Sequence, residues 1–285
     1  ALPIFRRGVS VMSQLNPAVR AIIRLGLLIL ATLLSRHAGA ESFWHNPVKL
    51  VGSDRMTVTA TAGSGEIPLL LSADWTHRLA GIQRVVIAVH GIDRDAAATM
   101  RGVEAARAAA GTAGQQTLLI VPQFLVPIDV TTFHLPASML RWGVDRWSAG
   151  YPALDPAPLS SFAVIDAILQ RLADRRLLPD LAEVVVAGHS AGGQMVQRYA
   201  AAGRGSPALA ANGVRVRYVV ANPSSYLYFS DDRPEPINVA SCPGFDRWRF
   251  GPGNAPPYVG ASADLETVFP AALIAFWMAV VSSVP

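Results

Sequence analysis

The sequence predicts a single α/β domain with a mostly parallel sheet and helices on both faces. Apolar runs of strand length alternate with helical segments along most of the chain, a rhythm typical of that architecture. The chain has 285 residues, 51% of them hydrophobic, which is enough to bury a full core. No internal repeat or low-complexity tract interrupts the alternation. We therefore expect one domain of ordinary size.

Residues 1–40 predict an upstream extension followed by a secretory signal. The extension ends before Met12, and two arginines precede the uncharged, mostly apolar run at 25–34. This run is too short for a membrane-spanning helix, which needs about twenty residues. Ala38-Gly39-Ala40 has the small-x-small form that signal peptidase cleaves. We expect a secreted or periplasmic protein that begins at Glu41 and has no stable membrane insertion.

Charge and motif content exclude several classes of function. Of the 24 basic residues, five arginines lie in residues 1–40, where there is no acid, so 19 basic and 20 acidic residues remain. Basic and acidic residues therefore nearly cancel, and the sequence has no cluster of basic residues interleaved with aromatic ones. These two features exclude a nucleic acid partner. No H-E-x-x-H or paired-histidine spacing predicts a metal site, and no phosphate-loop lysine predicts a nucleotide. Cys242 is the only cysteine, so no internal disulfide can form.

The domain is expected to open with a hairpin and continue with strands separated by a helix. "RMTVTATAG" and "EIPLLLSADW" form the hairpin, with its turn at residues 63–65. "QRVVIAVHG" is a buried strand, and residues 95–110 form an alanine-rich helix that Gly111 ends. "QTLLIVPQF" is the next strand, and Pro122 stops it.

Residues 122–158 break this rhythm, because prolines and aromatic residues occur there without a sustained period. The aromatic residues are Phe124, Phe133, Trp142, Trp147 and Tyr151. A long irregular insertion in a compact domain is usually functional, and this aromatic content argues against disorder. We interpret it as a cap over a pocket. The alternative is a packed surface loop that covers the sheet.

Regular structure returns after the insertion. Apolar residues of a helix beginning at Ser161 fall on one stripe at spacings of three and four. They are Phe162, Ile165, Ile168, Leu169 and Leu172. "EVVVAGHS" predicts a strand, a helix starts after Ser190, and "VRVRYVVANPSS" contains the sixth strand. Residues from Pro223 to about Gly260 have the composition of loops.

The segment Gly188-His189-Ser190-Ala191-Gly192 fits the pattern G-x-S-x-G. A turn this sharp between strand and helix strains the serine backbone, and side chains on either side would collide, so glycines are needed. Gly193 adds room for close packing. The following helix directs its unpaired amides at the serine. The alternative is a purely structural glycine-rich turn, but the strand before and the helix after favour a nucleophile elbow.

His90-Gly91-Ile92 follows an earlier strand in the same way. Given this pair of motifs, and "VVANPSSYLY" after the sixth strand, residues 55–260 resemble the α/β-hydrolase superfamily, specifically secreted bacterial esterase/lipase-like enzymes. The resemblance implies a Ser-His-Asp triad, no cofactor, and hydrolysis of a small-molecule acyl ester through an acyl-enzyme. It makes Ser190 the nucleophile and the backbone amides of Ile92 and Ala191 the oxyanion hole. His90 and His189 are then structural.

The histidines depart from the order expected of this superfamily, in which the acid and the base follow the serine. All six precede Ser190: His37, His45, His77, His90, His134 and His189. His134, in the insertion, is the candidate alternative base, because a triad is defined by geometry rather than chain order. Four aspartates follow the serine, but none ends a recognisable strand: Asp231, Asp232, Asp246 and Asp264.

Residues 267–285 carry no charge and continue neither strand nor helix rhythm. Three interpretations compete: a buried terminal helix, a short tail anchor broken by Pro270, or a frame change. The frame change also explains the missing histidine, the missing acid and unpaired Cys242. It predicts a hydrolase domain at 41–266, altered or truncated after its sixth strand.

We expect an impaired serine hydrolase. The alternative is a catalytically silent relative that binds an apolar ligand or a partner.

Overall fold

The computed structural model describes residues 46–229, 231–235 and 238–260. A six-stranded sheet with the strand order β1-β2-β4-β3-β5-β6 forms the centre of this part of the chain. The strands are β1 Asp54–Ala60, β2 Gly63–Leu71, β3 Arg84–Val89, β4 Thr117–Pro122, β5 Glu183–His189 and β6 Arg215–Ala221. β2 pairs antiparallel with β1 and β4, and the other pairs are parallel.

Helices cover both faces of this sheet, so the predicted fold class is confirmed. The helices are α1 Ala96–Ala109, α2 Thr112–Gln115, α3 Pro127–Thr132, α4 Ser161–Leu172, α5 Ala191–Ala202, α6 Ser206–Ala210 and α7 Pro257–Gly260. Side chains alternate along each strand, so β4 sends Leu118 to the face covered by α4 and α5 and Leu119 to the face covered by α1. The core is therefore divided between two layers.

The opening hairpin turns earlier than expected. Ala60 pairs with Gly63, so residues 61 and 62 make the turn and residues 63–65 belong to β2. The glycines instead allow the insertion to approach the strand. A β-carbon on Gly63 would lie 2.7 Å from Cβ of Ala157, and one on Gly65 would lie 2.7 Å from the Leu140 side chain. Gly63 also has φ of +129°, a conformation that favours glycine next to the turn, whereas Gly65 is required by close packing alone.

The two long helices before the serine begin at capped positions. Asp95 accepts a hydrogen bond from the amide of Ala98 at the start of α1, at 2.7 Å. Ser160 accepts one from the amide of Phe162 at the start of α4, at 3.1 Å. These side chains satisfy amides that the first helical turn leaves unpaired. The predicted apolar stripe of α4 is fully buried.

The insertion at 122–158 packs on the body of the domain. It contains α3 and a 3-10 turn at Trp147–Ala149. Phe124, Trp142 and Trp147 are fully buried, and the rings of Phe124 and Trp147 stack with centroids 5.4 Å apart. These three rings are therefore part of the hydrophobic core.

Several expectations concern residues outside the described part of the chain. The signal, the start at Glu41 and the uncharged segment 267–285 all fall there. Among the described residues, no helix has the length and apolar character needed to cross a membrane. In the same residues, the chain after β6 adds no further strand to the sheet and lies beside α4 and α5, where α7 ends at Gly260.

Candidate active site

Ser190 lies on a strained turn between β5 and α5. Its φ is +57° and its ψ is −121°, in a region that residues with side chains rarely adopt, at a cost of about 1–3 kcal/mol. Backbone hydrogen bonds hold this turn. The Ser190 amide donates to the carbonyl of Ala221 at 3.1 Å, and the Ser190 carbonyl accepts from Gln194 at 2.9 Å and Ser224 at 3.2 Å. The chain is therefore fixed from both β6 and α5.

Each glycine of the motif has a steric reason. A β-carbon on Gly188 would lie 2.4 Å from the carbonyl carbon of Gly192, the collision across the turn expected from the sequence. One on Gly192 would lie 2.2 Å from the carbonyl oxygen of Val89, and one on Gly193 would lie 2.6 Å from that of Ala221. The helix start is therefore pressed against the ends of β3 and β6.

The loop at residues 90–94, which follows β3, contacts this same helix start. β3 and β5 run parallel with Val89 opposite Gly188, so both chains leave the sheet at the same edge. A β-carbon on Gly192 would also lie 2.6 Å from the carbonyl oxygen of His90. Ile92 and Ala191, the two predicted amide donors, thus lie on adjoining segments. We call residues 90–94 the oxyanion loop.

His90 orients a peptide of the oxyanion loop from inside the core. The Phe124 amide donates to His90 Nε2 at 3.0 Å, so the ring proton is on Nδ1, which donates to the Gly91 carbonyl at 2.8 Å. Burial lowers the pKa of His90 to about 4, which keeps the ring neutral. The Gly91 carbonyl and the Ile92 N–H point oppositely in one planar peptide, so His90 also sets the direction of that N–H.

Ala191 supplies the other predicted donor, because it is the first residue of α5. Amides in the first turn of a helix have no partner within the helix, and the helix dipole places partial positive charge there. An oxyanion that forms at Ser190 would be stabilised by such groups. The structure thus places Ser190, Ala191 and the three glycines around the start of α5, next to the end of β3 and the carbonyl of His90, two residues before Ile92.

Among the described residues, no base hydrogen-bonds to the Ser190 hydroxyl. Ser190 Oγ is 3.4 Å from Ser224 Oγ, longer than an ordinary hydroxyl hydrogen bond, and a neutral serine is a poor proton acceptor. His134 is exposed just after α3, with φ of +49°. Within the described ranges no histidine or carboxylate side chain, that of His134 included, hydrogen-bonds to Ser190. Asn222, rather than an acid, follows β6.

A buried polar network next to the serine was not predicted. Arg198 is fully buried in α5 and donates to the Ser225 hydroxyl at 3.0 Å and the Arg249 carbonyl at 2.7 Å. Burial lowers its pKa to about 9. Gln194, one turn earlier, binds the hydroxyls of Ser148 and Ser225. The network holds the chain after β6 against α5, and its sequence signal is the pair of polar residues four apart on a buried helix.

A cleft of about 500 Å³ opens beside the turn, on the face of the sheet that carries α1. Its walls are mostly apolar and include Val103, Ala187 and Val219, with His189 and Asp93 at the end near the serine. Val219 is 48% exposed. The lining does not include Ser190. The cleft therefore marks a sheet face that the described residues leave partly uncovered.

Comparison with solved structures returned hydrolases that resemble parts of this chain at low identity and low TM-score. No protein-family model and no curated protein matches the sequence. The poly(3-hydroxybutyrate) depolymerase LpqC from Bordetella parapertussis is 18% identical over 66% of this chain and 58% of its own, with a TM-score of 0.39. Poly(aspartic acid) hydrolase-1 from Sphingomonas sp. KT-1 is 18% identical over 70% of each chain, with a TM-score of 0.40. A probable hydrolytic enzyme from Pseudomonas aeruginosa PAO1 is 19% identical over 62% of this chain and 46% of its own, with a TM-score of 0.34.

This chain thus spans less than two thirds of the length of LpqC and of the Pseudomonas protein. The assignment of the fold depends on the molecule itself. Four parallel strands in a mixed sheet, helices on both faces and a strained serine between a strand and a helix together define it. The protein has the α/β-hydrolase fold.

Proposed function

We propose that this protein is a serine hydrolase of the esterase/lipase type, with Ser190 as the nucleophile that attacks a small-molecule acyl ester. The observation that carries this proposal is the backbone of Ser190, with φ of +57° at the start of α5. Strain of this kind persists where the surroundings require it, and functional sites are where it clusters. The nearby amides of Ile92 and Ala191 support the same reaction.

The proposed reaction proceeds through an acyl-enzyme. Ser190 Oγ forms a bond to the ester carbonyl carbon, and the carbonyl electron pair moves to the oxygen. The amides of Ile92 and Ala191 donate hydrogen bonds to that oxyanion. When the carbonyl re-forms, the bond to the alcohol breaks and the alcohol leaves with the proton that the serine has lost. Water then releases the acid in the same way.

The proton from Ser190 has no acceptor among the side chains that contact it in the described residues. A positioned base contributes about 10²–10⁴-fold to such a reaction. Binding and the oxyanion hole alone still give about 10³–10⁴ over water when triad members are removed. We therefore propose that this chain hydrolyses activated esters slowly.

Chemical rescue tests this proposal, because imidazole in solution can replace a missing base. The rate of p-nitrophenyl butyrate hydrolysis would be measured with and without imidazole, for the wild type and for Ser190→Ala. We expect the wild type to hydrolyse the ester slowly but faster than Ser190→Ala. Imidazole should raise the wild-type rate, and that rate should saturate as the ester concentration increases. Equal rates for the two proteins at every imidazole concentration would exclude Ser190 as the nucleophile.

A catalytically silent relative is the second candidate, favoured by the absence of a base contact among the described residues and by the apolar cleft beside the turn. Such a protein would bind an apolar ligand or a partner without turnover. A fluorophosphonate probe separates the two functions, since it labels only an activated serine. Labelling of Ser190 in imidazole, located by mass spectrometry, supports the hydrolase. Binding of an apolar dye without labelling supports the silent relative.

A further inference from the structure

Two buried charges outside the serine turn, Arg94 and Asp129, form a forked ion pair. Arg94 Nε lies 2.8 Å from Asp129 Oδ2, and Nη2 lies 3.2 Å from Oδ1. The side chains are 1% and 0% exposed. The carboxylate also accepts the amides of Val48 and Val126, at 2.8 and 2.9 Å. A lysine could not reproduce this geometry, because it lacks the planar fork of the guanidinium.

Stability alone does not explain the burial of this pair. Removing two charges from water is so unfavourable that apolar residues of similar volume often stabilise a fold as well or better. Arg94 also has φ of +59°, a left-handed conformation that is unfavourable for residues with side chains. Both features are expected where the surroundings require one particular backbone arrangement.

The backbone that the pair holds is the oxyanion loop. Arg94 Nη1 donates to the carbonyl of Ile92 at 3.3 Å, and the Arg94 amide donates to that of Gly91 at 3.1 Å. Gln123 Nε2 donates to the Arg94 carbonyl at 2.9 Å. The Gly91 carbonyl belongs to the same planar peptide as the Ile92 N–H. Arg94 therefore constrains the peptides on both sides of Ile92, and the Gly91 carbonyl accepts hydrogen bonds from both Arg94 and His90.

We propose that Arg94 and Asp129 are positioning residues that keep the Ile92 N–H directed at the oxyanion of the reaction at Ser190. This inference rests on the proposed function. Neither side chain touches the substrate, and both act through the loop. Asp129 belongs to α3, so the insertion at 122–158 contributes to the site through this ion pair.

The test removes both charges together, since removal of one would leave the other buried and unpaired. The variant is Arg94→Gln with Asp129→Asn, which keeps hydrogen-bonding groups at both positions. The control is Arg84→Gln with Glu183→Gln, an ion pair at the opposite end of β3 and β5, with Arg84 Nε 2.7 Å from Glu183 Oε2. Arg94→Lys is the second variant, because it leaves the carboxylate paired if the double variant fails to fold.

The readout compares p-nitrophenyl butyrate with its thionoester in imidazole, after subtraction of the Ser190→Ala rate. Sulfur is a weak hydrogen-bond acceptor, so the ratio of the two rates reports hydrogen bonding to the carbonyl oxygen in the transition state. We expect kcat for the oxygen ester to fall about 10²-fold in the double variant, by analogy with small misplacements of reacting groups. KM should stay within about twofold. The ratio of the oxygen-ester rate to the thionoester rate should fall together with kcat, because oxyanion contacts form only in the transition state.

Hydrogen exchange gives an independent measure of the loop. We expect faster exchange at residues 90–94 in the double variant, intermediate exchange and activity in Arg94→Lys, and wild-type behaviour in the control. Unchanged exchange at 90–94, or an unchanged rate ratio in a variant whose loop exchanges faster, would overturn the positioning role alone. A wild type whose rate equals that of Ser190→Ala would overturn the proposed function, and this inference with it.

Discussion

The α-carbon of Gly192 faces the carbonyl oxygen of Val89 so closely that an added β-carbon would lie 2.2 Å from it. That contact joins the start of α5 to the end of β3 and lies between the serine turn and the oxyanion loop. Both groups belong to backbone, so neither can move aside as a flexible side chain could. The site therefore depends on a residue without a side chain at position 192.

We expect Gly192→Ala to destabilise the protein by about 1–3 kcal/mol, as overpacking of a close contact does. Gly102→Ala in α1 is the matched control, since a β-carbon there meets nothing within 4 Å. In a helix that change should stabilise by up to about 1 kcal/mol. Urea unfolding measures both. Equal effects of the two substitutions would contradict the close contact with Val89.

His90 should make stability depend on pH in a defined window. Its pKa is about 4 in the folded protein, below the ordinary value of 6.5, because burial disfavours the charged ring. Between these values the unfolded chain binds the proton and the folded one does not, so stability falls as the pH falls from about 6.5 to about 4. The loss from this residue is on the order of 3 kcal/mol and does not grow at lower pH.

Urea unfolding at pH 7.5, 6, 5 and 4 would measure this dependence. His90→Gln should flatten it, while the same change at the exposed His134 should leave it close to that of the wild type. If His90→Gln and the wild type lost stability in parallel from pH 7.5 to pH 4, the interpretation that the buried His90 ring stays neutral in the folded protein would be wrong.

Asp166 should be important for holding α7 to the domain. Its carboxylate accepts the hydroxyls of Tyr199 and Tyr258, each at 2.6 Å, and the amide of Arg204 at 2.9 Å. Tyr258→Phe removes one hydrogen bond to a charged group, worth about 1.5–3 kcal/mol. Asp166→Ala should cost more, since it leaves two hydroxyls without their acceptor.

Thermal denaturation would rank these variants, with Tyr228→Phe as the control for loss of a hydroxyl. The Tyr228 ring lies 4.3 Å from the guanidinium carbon of Arg233, a contact that phenylalanine retains. The ranking would be refuted by a Tyr258→Phe protein that is as stable as the Tyr228→Phe protein.

Substitution of His134 tests the remaining source of a base. We expect His134→Gln to change p-nitrophenyl butyrate turnover by less than about twofold, because a ring that does not reach the serine cannot give the 10²–10⁴-fold of a positioned base. Brisk hydrolysis by the wild type that this substitution abolishes would show instead that the insertion supplies the base.

Export is tested separately. We expect the mature protein to begin at Glu41, because the apolar run and Ala38-Gly39-Ala40 have the form of a cleaved signal. N-terminal sequencing of protein recovered from the exported fraction would establish the start. Recovery of a membrane-bound chain that retains residues 12–40 would show that the signal remains as an anchor.

Periodicity and local sterics made the strands, the long helices and the serine turn predictable. The stripe of α4 and the strand before Ser190 depend on short-range alternation, which the sequence displays directly. The need for Gly188 is equally local, because its obstacle is Gly192, four residues away. The position of the insertion could be recognised in the same way, since it is where the alternation stops.

The fold class, the strained serine turn and the position of all six histidines before it could thus be recognised from the sequence. The surroundings of that serine could not, because they depend on long-range packing. Strand register placed His90 beside the start of α5, and packing turned the aromatic residues of the insertion into core. The same packing brought Asp129 to Arg94 across 35 positions. Such contacts join residues that are distant in the chain, and short-range patterns contain no information about which distant groups will meet.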